Sequence, residues 1–392
     1  MTLLDTISKA STGSAQLESD FDYPIILNPD PVFLTLKPEN EDPIDKVIVK
    51  RVSGWDLSQS DSETMELGKK FFSKLKRKLK NTNSFTKGEF FKMFNSYLEE
   101  LGGKFGISVE LDRSDEGYTN ELVGKVGGLM GRDVRALILE GCVVLEIWDL
   151  LESLIVNGLV EHSCTSNLVN NLIEKRRSDL IILCVKHFSD LQSYDIMCIL
   201  KYFLCPPKDG YGSMVAVRKE WDNQALLAIQ KVQDKSLGVK RMNLAKDASL
   251  LIMLAHDGFS VSQLCLHYLL ASKNLDEVIL ASCISKLNGS EMMCLIRYLS
   301  KWLKKYERFP RAIPSPEASS KLGLTVCVWI PSIGDIVKCL GLVMDEHFSS
   351  LVFHLEVHEE LRSLGRLVNS LAAESRLCSS VASIVESWRT EH

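Results

Sequence analysis

The sequence predicts an all-α protein: an irregular α-solenoid of stacked helical hairpins behind a disordered, proline-rich N-terminal arm. Three observations predict it. From Arg132 onward apolar residues recur at helical spacing almost throughout. One helical hairpin, Leu275 to Tyr306, has a sequence twin upstream. Strand-like runs, such as Val32-Phe33-Leu34 and Val47-Ile48-Val49, are too few for a sheet.

The twin is read without gaps. Asp195 to Leu204 is DIMCILKYFL and Glu291 to Ser300 is EMMCLIRYLS. Met197, Cys198 and Tyr202 match Met293, Cys294 and Tyr298, while Asp195 matches Glu291 and Lys201 matches Arg297. Ser189 and Leu191 likewise match Ser285 and Leu287. A recurring helix pair that cannot bury its own face alone is the mark of a stacked array. The separation of the twins exceeds one unit of about 20–50 residues, so the array is degenerate and holds two or three pairs between them.

Taken in order, 1–59 is polar and interrupted by Pro24, Pro29, Pro31, Pro38 and Pro43, which block helices and favour an extended or disordered arm. The arm also reads as the end of a linker from an upstream domain. Residues 60–101 form a basic helical hairpin, its helices opened by the capping boxes Ser60-x-x-Glu63 and Thr86-x-x-Glu89. The glycine cluster within 102–131, including Gly124, Gly127, Gly128 and Gly131, reads as a hinge and the main boundary. Residues 132–392 are the helical array. Val144, Ile147, Leu151, Leu154 and Ile155 lie on one helical face ended by Asn157-Gly158, suited to a left-handed cap. Ser260-x-x-Gln263 caps a further helix. In the second twin, Ser290 is placed to cap, and Met292, Leu295, Ile296, Leu299 and Leu303 form the buried face. Phe309 to Thr325 is a Pro- and Ser-rich loop holding Ser315-Pro316, a phosphorylation candidate or an ordinary turn. Two helices, from Ser332 to about His358 and from Leu361 to Trp388, close the chain.

Bulk properties exclude several functions. The chain has 392 residues, 45% hydrophobic and 25% charged, enough to bury a sizeable core. A net charge of −5 and a pI near 6.0 exclude nucleic-acid binding by the molecule as a whole and leave only a local patch. Eleven cysteines, an odd number without a C-x-x-C, fall mainly in apolar helical runs and read as buried reduced thiols of a cytosolic or nuclear protein. No apolar stretch after Met1 reads as a secretory signal, and the richest apolar run, Cys142 to Val160, is broken by Glu146, Asp149 and Glu152, so no membrane span is expected.

One stretch carries a possible site chemistry. Lys69 to Lys80, KKFFSKLKRKLK, presents Lys69, Lys70, Lys74, Lys76, Arg77, Lys78 and Lys80 with no acid among them. Phe71, Leu75 and Leu79 recur at i, i+4 and i+8, giving a basic amphipathic helix. Such a face binds phosphates by releasing counterions or serves as a nuclear-import signal; the plainer reading is a solvated helix face. His347, His354 and His358 would share one side of a continuous helix, but no HExxH is present and an incidental role is the expectation. The glycine run lacks the GK[ST] of a P-loop and follows no strand. No nucleophile–base pair or carboxylate pair stands out, so neither an enzyme nor a cofactor is expected.

A family resemblance emerges from three stretches. Trp148 to Val160 (WDLLESLIVNGLV), Leu172-Ile-Glu-Lys175 and Asp195 to Tyr202 resemble the C-terminal helical region of the nucleolar protein 11 family, in a plant-like or shortened form. Trp329-Ile330 through Leu340, Asp345 to Phe348 and the run to Trp388 are similar to that region's terminal helices. The resemblance covers roughly 132–392. It implies a nucleolar, non-enzymatic scaffold in the transcription-linked subcomplex of the small-subunit processome, supporting pre-rRNA transcription and early 18S rRNA processing. Its partners would be other processome proteins through the array and pre-rRNA through the basic helix, with no membrane and no small-molecule substrate. The family also carries an N-terminal β-propeller, and no blade-like repetition of strands precedes Ser60; this implies a short form, a fragment or a shortened paralogue. The alternative is a cytoplasmic α-solenoid adaptor, for example in trafficking.

Overall fold

The computed structural model describes residues 25–27, 49–51, 59–81, 84–108, 115, 117–234, 236, 238–310, 312–353 and 355–390. The arm expected over 1–59 lies outside these residues, apart from Gln59 and two short strands. β1 (Ile25–Leu27) and β2 (Val49–Arg51) pair antiparallel, with Ile26 opposite Lys50. Val49 thus belongs to a small ladder that the sequence reading did not expect, while Val32-Phe33-Leu34 is outside the described residues. Residues 1–66 and 67–392 form separate compact units.

The second unit is all-α. Helix α1 (Gln59–Leu79) enters it at Leu67 and is followed by α2 (Lys87–Lys104), α3 (Tyr118–Val126), α4 (Arg132–Val144), α5 (Trp148–Val156), α6 (His162–Glu174), α7 (Ser178–His187) and α8 (Ser193–Leu204). Then come α9 (Tyr211–Gln233), α10 (Val239–His256), α11 (Val261–Leu270), α12 (Glu277–Ile284), α13 (Gly289–Arg308), α14 (Pro316–Leu322), α15 (Ile333–Phe353) and α16 (Leu355–Thr390).

The helices stack in two layers. In one, α3 packs on α5, α5 on α7, and α7 on both α9 and α11. In the other, α4 packs on α6, α6 on α8, α8 on α13, and α13 on α16. Each helix therefore touches its counterpart in the next pair, which is the contact pattern of a solenoid. The α4/α5 and α6/α7 pairs repeat at about 30 residues. Their internal turns are the same. Glu146 and Arg176 both take a left-handed backbone, φ 53° and 58°. Ile147 N–H donates to Cys142 O and Arg177 N–H to Leu172 O, each at 2.9 Å, closing orphan carbonyls at the end of α4 and of α6. Lys175 then reaches Glu146 at 2.8 Å, joining the two turns.

The twins are α8 and α13, and they touch one another. Met292, Leu295, Ile296, Leu299 and Leu303 are all buried, as expected, and Ile196, Ile199, Leu200 and Phe203 do the same for α8. Burial of such a leucine face contributes on the order of 2 kcal/mol per side chain before entropy is counted. The polar positions make the rungs. Ser166 of α6 donates to Asp195 of α8 at 2.8 Å. Lys201 of α8 meets Glu291 of α13 at 3.4 Å, and Arg297 of α13 meets Glu360 of α16 at 2.9 Å.

Several boundaries differ from the sequence reading. Residues 102–131, expected as a hinge, contain α3 and a 3-10 turn at Gly127–Leu129, with Leu122, Val123 and Val126 buried. Gly127 answers a packing need: a Cβ there would lie 2.5 Å from Leu159 Cδ1. The single face expected from Val144 to Ile155 is split between α4 and α5 by the turn at Glu146, and Val144 is exposed. Gly158, φ 66°, does end α5 as expected. Ser60 lies inside α1, which begins at Gln59. Thr86 caps α2 by accepting from Glu89 N–H at 3.3 Å, and Ser260 with Gln263 completes a full capping box. For α13 the cap is Asn288, not Ser290: Asn288 Oδ1 accepts from Glu291 N–H, and Glu291 accepts in return from Asn288 N–H. The loop expected over Phe309 to Thr325 holds α14, with Pro316 in its first turn and Ala318 and Leu322 buried.

The helix that would align His347 with His358 is not continuous. α15 kinks at His347, φ −115°, and His347 Nε2–H donates to Ile284 O at 2.7 Å; His358 pairs with Val352 O, and His354 is outside the described residues. The segment Thr325–Phe353 is long and apolar enough to cross a membrane by length and composition. Its buried residues Ile336, Cys339, Leu340 and Val343 belong to α15, which packs on α12 and α13 and so serves as a core helix of the array.

Candidate nucleic-acid interface

α1 is positioned by three side chains on one stripe. Phe71 and Leu75 are buried and Leu79 is half-buried. Phe71 stacks on Tyr97 of α2 with ring centroids 4.2 Å apart and lies 6.3 Å from Phe94. Leu79 lies beside Gly141 of α4, where a larger residue would crowd Phe90. The helix is thus clamped by its apolar stripe, and its outward side is fixed.

That outward side carries the cations. Lys69, Lys70, Lys74, Lys76, Arg77 and Lys80 are exposed. Lys78 is half-buried and engaged: it pairs with Glu89 at 3.5 Å and lies over the Phe85 ring at 5.8 Å. Lys76 lies over Phe72 at 5.4 Å. Among the described residues, Lys69, Lys74, Arg77 and Lys80 have no acid within ion-pair distance. Asp61 in the first turn and Lys76, Arg77 and Lys78 in the last complement the helix dipole. The structure therefore leaves six of the seven residues exposed and turns Lys78 toward Glu89 of α2. A pure composition count misses that diversion; Glu89, eleven residues on, was its only sequence signal.

A second basic run, on α13, is structural. Lys301 donates to Gly258 O and Gln263 Oε1, and Lys305 donates to Asp257 O at 2.7 Å. Both satisfy groups where α10 ends, and both lie near the Phe259 ring. A groove between α1, α4 and α6, lined by Phe72, Lys76, Leu137, Glu140, Val144 and Asn167, holds no nucleophile–base pair. Among the described residues no group of three or more His, Cys, Asp or Glu is arranged to hold a metal ion. His267 is enclosed at the α10–α11–α13 junction. Its Nε2–H donates to Ala255 O at 3.0 Å, so its Nδ1 accepts from Tyr298 O–H at 2.7 Å. Burial holds this imidazole neutral, with its pKa pushed down to about 3. All eleven cysteines are free thiols. Burial pushes Cys142, Cys184 and Cys265 far above the usual thiol range, which makes them inert.

Fold and face together define a class: a helical-array protein with one clamped basic helix. No protein-family model matches the chain, and no curated protein matches it.

Proposed function

We propose that the chain is a non-enzymatic scaffold in nucleolar ribosome biogenesis, supporting pre-rRNA transcription and early 18S rRNA processing as a component of the small-subunit processome. The observation that carries the reading is the run of rungs α4–α6–α8–α13–α16, each joined to the next by packing and by a polar bridge. A layer of this kind offers a long surface on which several proteins can sit at once. The nucleolar setting comes from the resemblance of residues 148–160, 172–175 and 195–202 to the nucleolar protein 11 family, and membership in that family is part of the same proposal. The exposed face of α1 suits contact with pre-rRNA.

Affinity purification of the tagged chain from cells, with identification of the co-purifying proteins, tests the reading. Recovery of processome subunits from nucleoli is the expected result. A chain confined to the cytoplasm that recovers trafficking proteins instead would replace this reading with the adaptor one.

A further inference from the structure

We infer that α1 is a folded docking face for the phosphodiester backbone of a nucleic-acid strand, and not a linear import signal. The inference rests on the scaffold reading only for the cellular source of that strand.

The geometry separates the two roles. A linear signal is read as an accessible, unfolded peptide. Here Phe71 and Leu75 are buried, Phe71 against Phe94 and Tyr97 of α2, and Lys78 is paired with Glu89 and lies over Phe85. Reading Lys74 to Lys80 as a peptide would require α1 to leave that core. A backbone-binding face needs the opposite: cations held on a rigid support, spaced along it and unneutralised. Helical geometry places Lys69, Ser73 and Arg77 on one i, i+4 row and Lys76 and Lys80 on another, with a rise of about 6 Å between i and i+4 positions. Ser73, between Lys69 and Arg77, is exposed and uncharged, and offers a hydroxyl to a phosphate oxygen. The buried stripe has already fixed the helix backbone, so binding orders only the side chains. With no aromatic side chain exposed among Lys69 to Lys80, the face provides no stacking platform, so it reads charge along a strand and not base identity.

The test uses the full chain and fluorescence anisotropy with a labelled oligouridylate, an oligothymidylate and polyglutamate as competitor, over a series of salt concentrations. The variant Lys69→Gln/Lys74→Gln/Arg77→Gln removes three cations without adding repulsion, and circular dichroism checks that it remains folded. The expected result is a loss of at least about tenfold in strand affinity at low salt. The slope of log affinity against log salt should become shallower by about 2, since each phosphate contact on a single strand contributes about 0.7. Equal binding of the two oligonucleotides supports backbone recognition; preference for oligouridylate supports it with RNA as the source. Unchanged affinity and slope in the variant would overturn the inference. So would competition by polyglutamate at equal charge concentration, or loss of nuclear entry with strand binding intact. Failure here with processome subunits still co-purified would leave the scaffold reading standing; the reverse outcome would remove the scaffold and keep the site.

Discussion

α8 and α13 carry matching ten-residue stretches, with the same methionine, cysteine and tyrosine in register, and use them differently. Their apolar positions do the same work, burying one face of each helix in the array. Their polar positions diverge with their neighbours. Tyr202 O–H meets the Ser178 hydroxyl at 2.9 Å, whereas Tyr298 donates to an enclosed imidazole. Asp195 accepts from Ser166 of the preceding rung, whereas Glu291 meets Lys201 of its preceding rung and also closes its own helix cap. The helices also end differently. α8 stops at Leu204 before Cys205-Pro206-Pro207, because the residue before a proline is driven out of helical geometry. α13 meets no such block and continues to Arg308, adding Trp302, Leu303 and Tyr306 to the core. A repeated apolar pattern thus specifies where a helix sits, while its polar residues specify what it is joined to.

The strongest way to break this comparison is a charge in the shared face. Leu295→Asp and Ile199→Asp should each cost about 5 kcal/mol or more, because an unpaired carboxylate would be buried. The expected outcome is loss of soluble protein or of a cooperative melt by circular dichroism. A Leu295→Asp chain that is soluble and melts cooperatively at the wild-type temperature would show that this face is not core.

Acid should distinguish the surroundings of the two helices next. Folded His267 stays neutral down to about pH 3, while the unfolded residue takes up a proton near its ordinary value of about 6.5. Between those values the unfolded state binds the extra proton, so stability falls as pH falls, by about 1.4 kcal/mol per pH unit. Ser178 beside Tyr202 has no such titration. Urea midpoints measured from pH 7 to pH 5 should therefore fall less steeply in His267→Gln than in the wild type; parallel slopes would remove His267 as the cause.

Smaller still is the loss of each tyrosine hydroxyl. Tyr298→Phe should cost about 1–3 kcal/mol, since Nδ1 of His267 is left buried and its tautomer is held by Ala255 O. Tyr202→Phe should cost less, because the Ser178 hydroxyl left behind is a free rotor that can either donate or accept, unlike a ring nitrogen of fixed tautomer. Chemical denaturation of both variants gives the order, and a reversed order would contradict the assignment. The smallest effects belong to Lys201→Ala and Arg297→Ala, each below about 1 kcal/mol, with Lys201 the larger because Glu291 is the more buried partner.

The apolar face of α13 was legible because leucine-type residues at helical period have few alternatives to burial. The turn at Glu146 was not: a left-handed residue without glycine leaves no composition signal, so two helices read as one. With that turn hidden, the 30-residue spacing was hidden as well. α14 was missed because Pro and Ser suggest a loop, although Pro316 is compatible with a helix start. Glycines 124–131 suggested freedom, yet Gly127 is there for want of space beside Leu159. At the candidate site, the cation-rich stretch was plain in the sequence. What it concealed was the state of each charge, since Lys78 meets Glu89 only once α1 and α2 have folded together.

The rung between α8 and α13 joins residues far apart in the chain; Cys205 and Cys294, 4.0 Å from each other, are 89 positions apart. This fixes an order of events at the ribosome. With synthesis at about 5–20 residues per second, α8 emerges roughly 5–20 s before its lateral neighbour exists. During that interval the side of α8 destined for α13 has no native cover, and α9 to α12 must be made before the growing stack can receive its next helix.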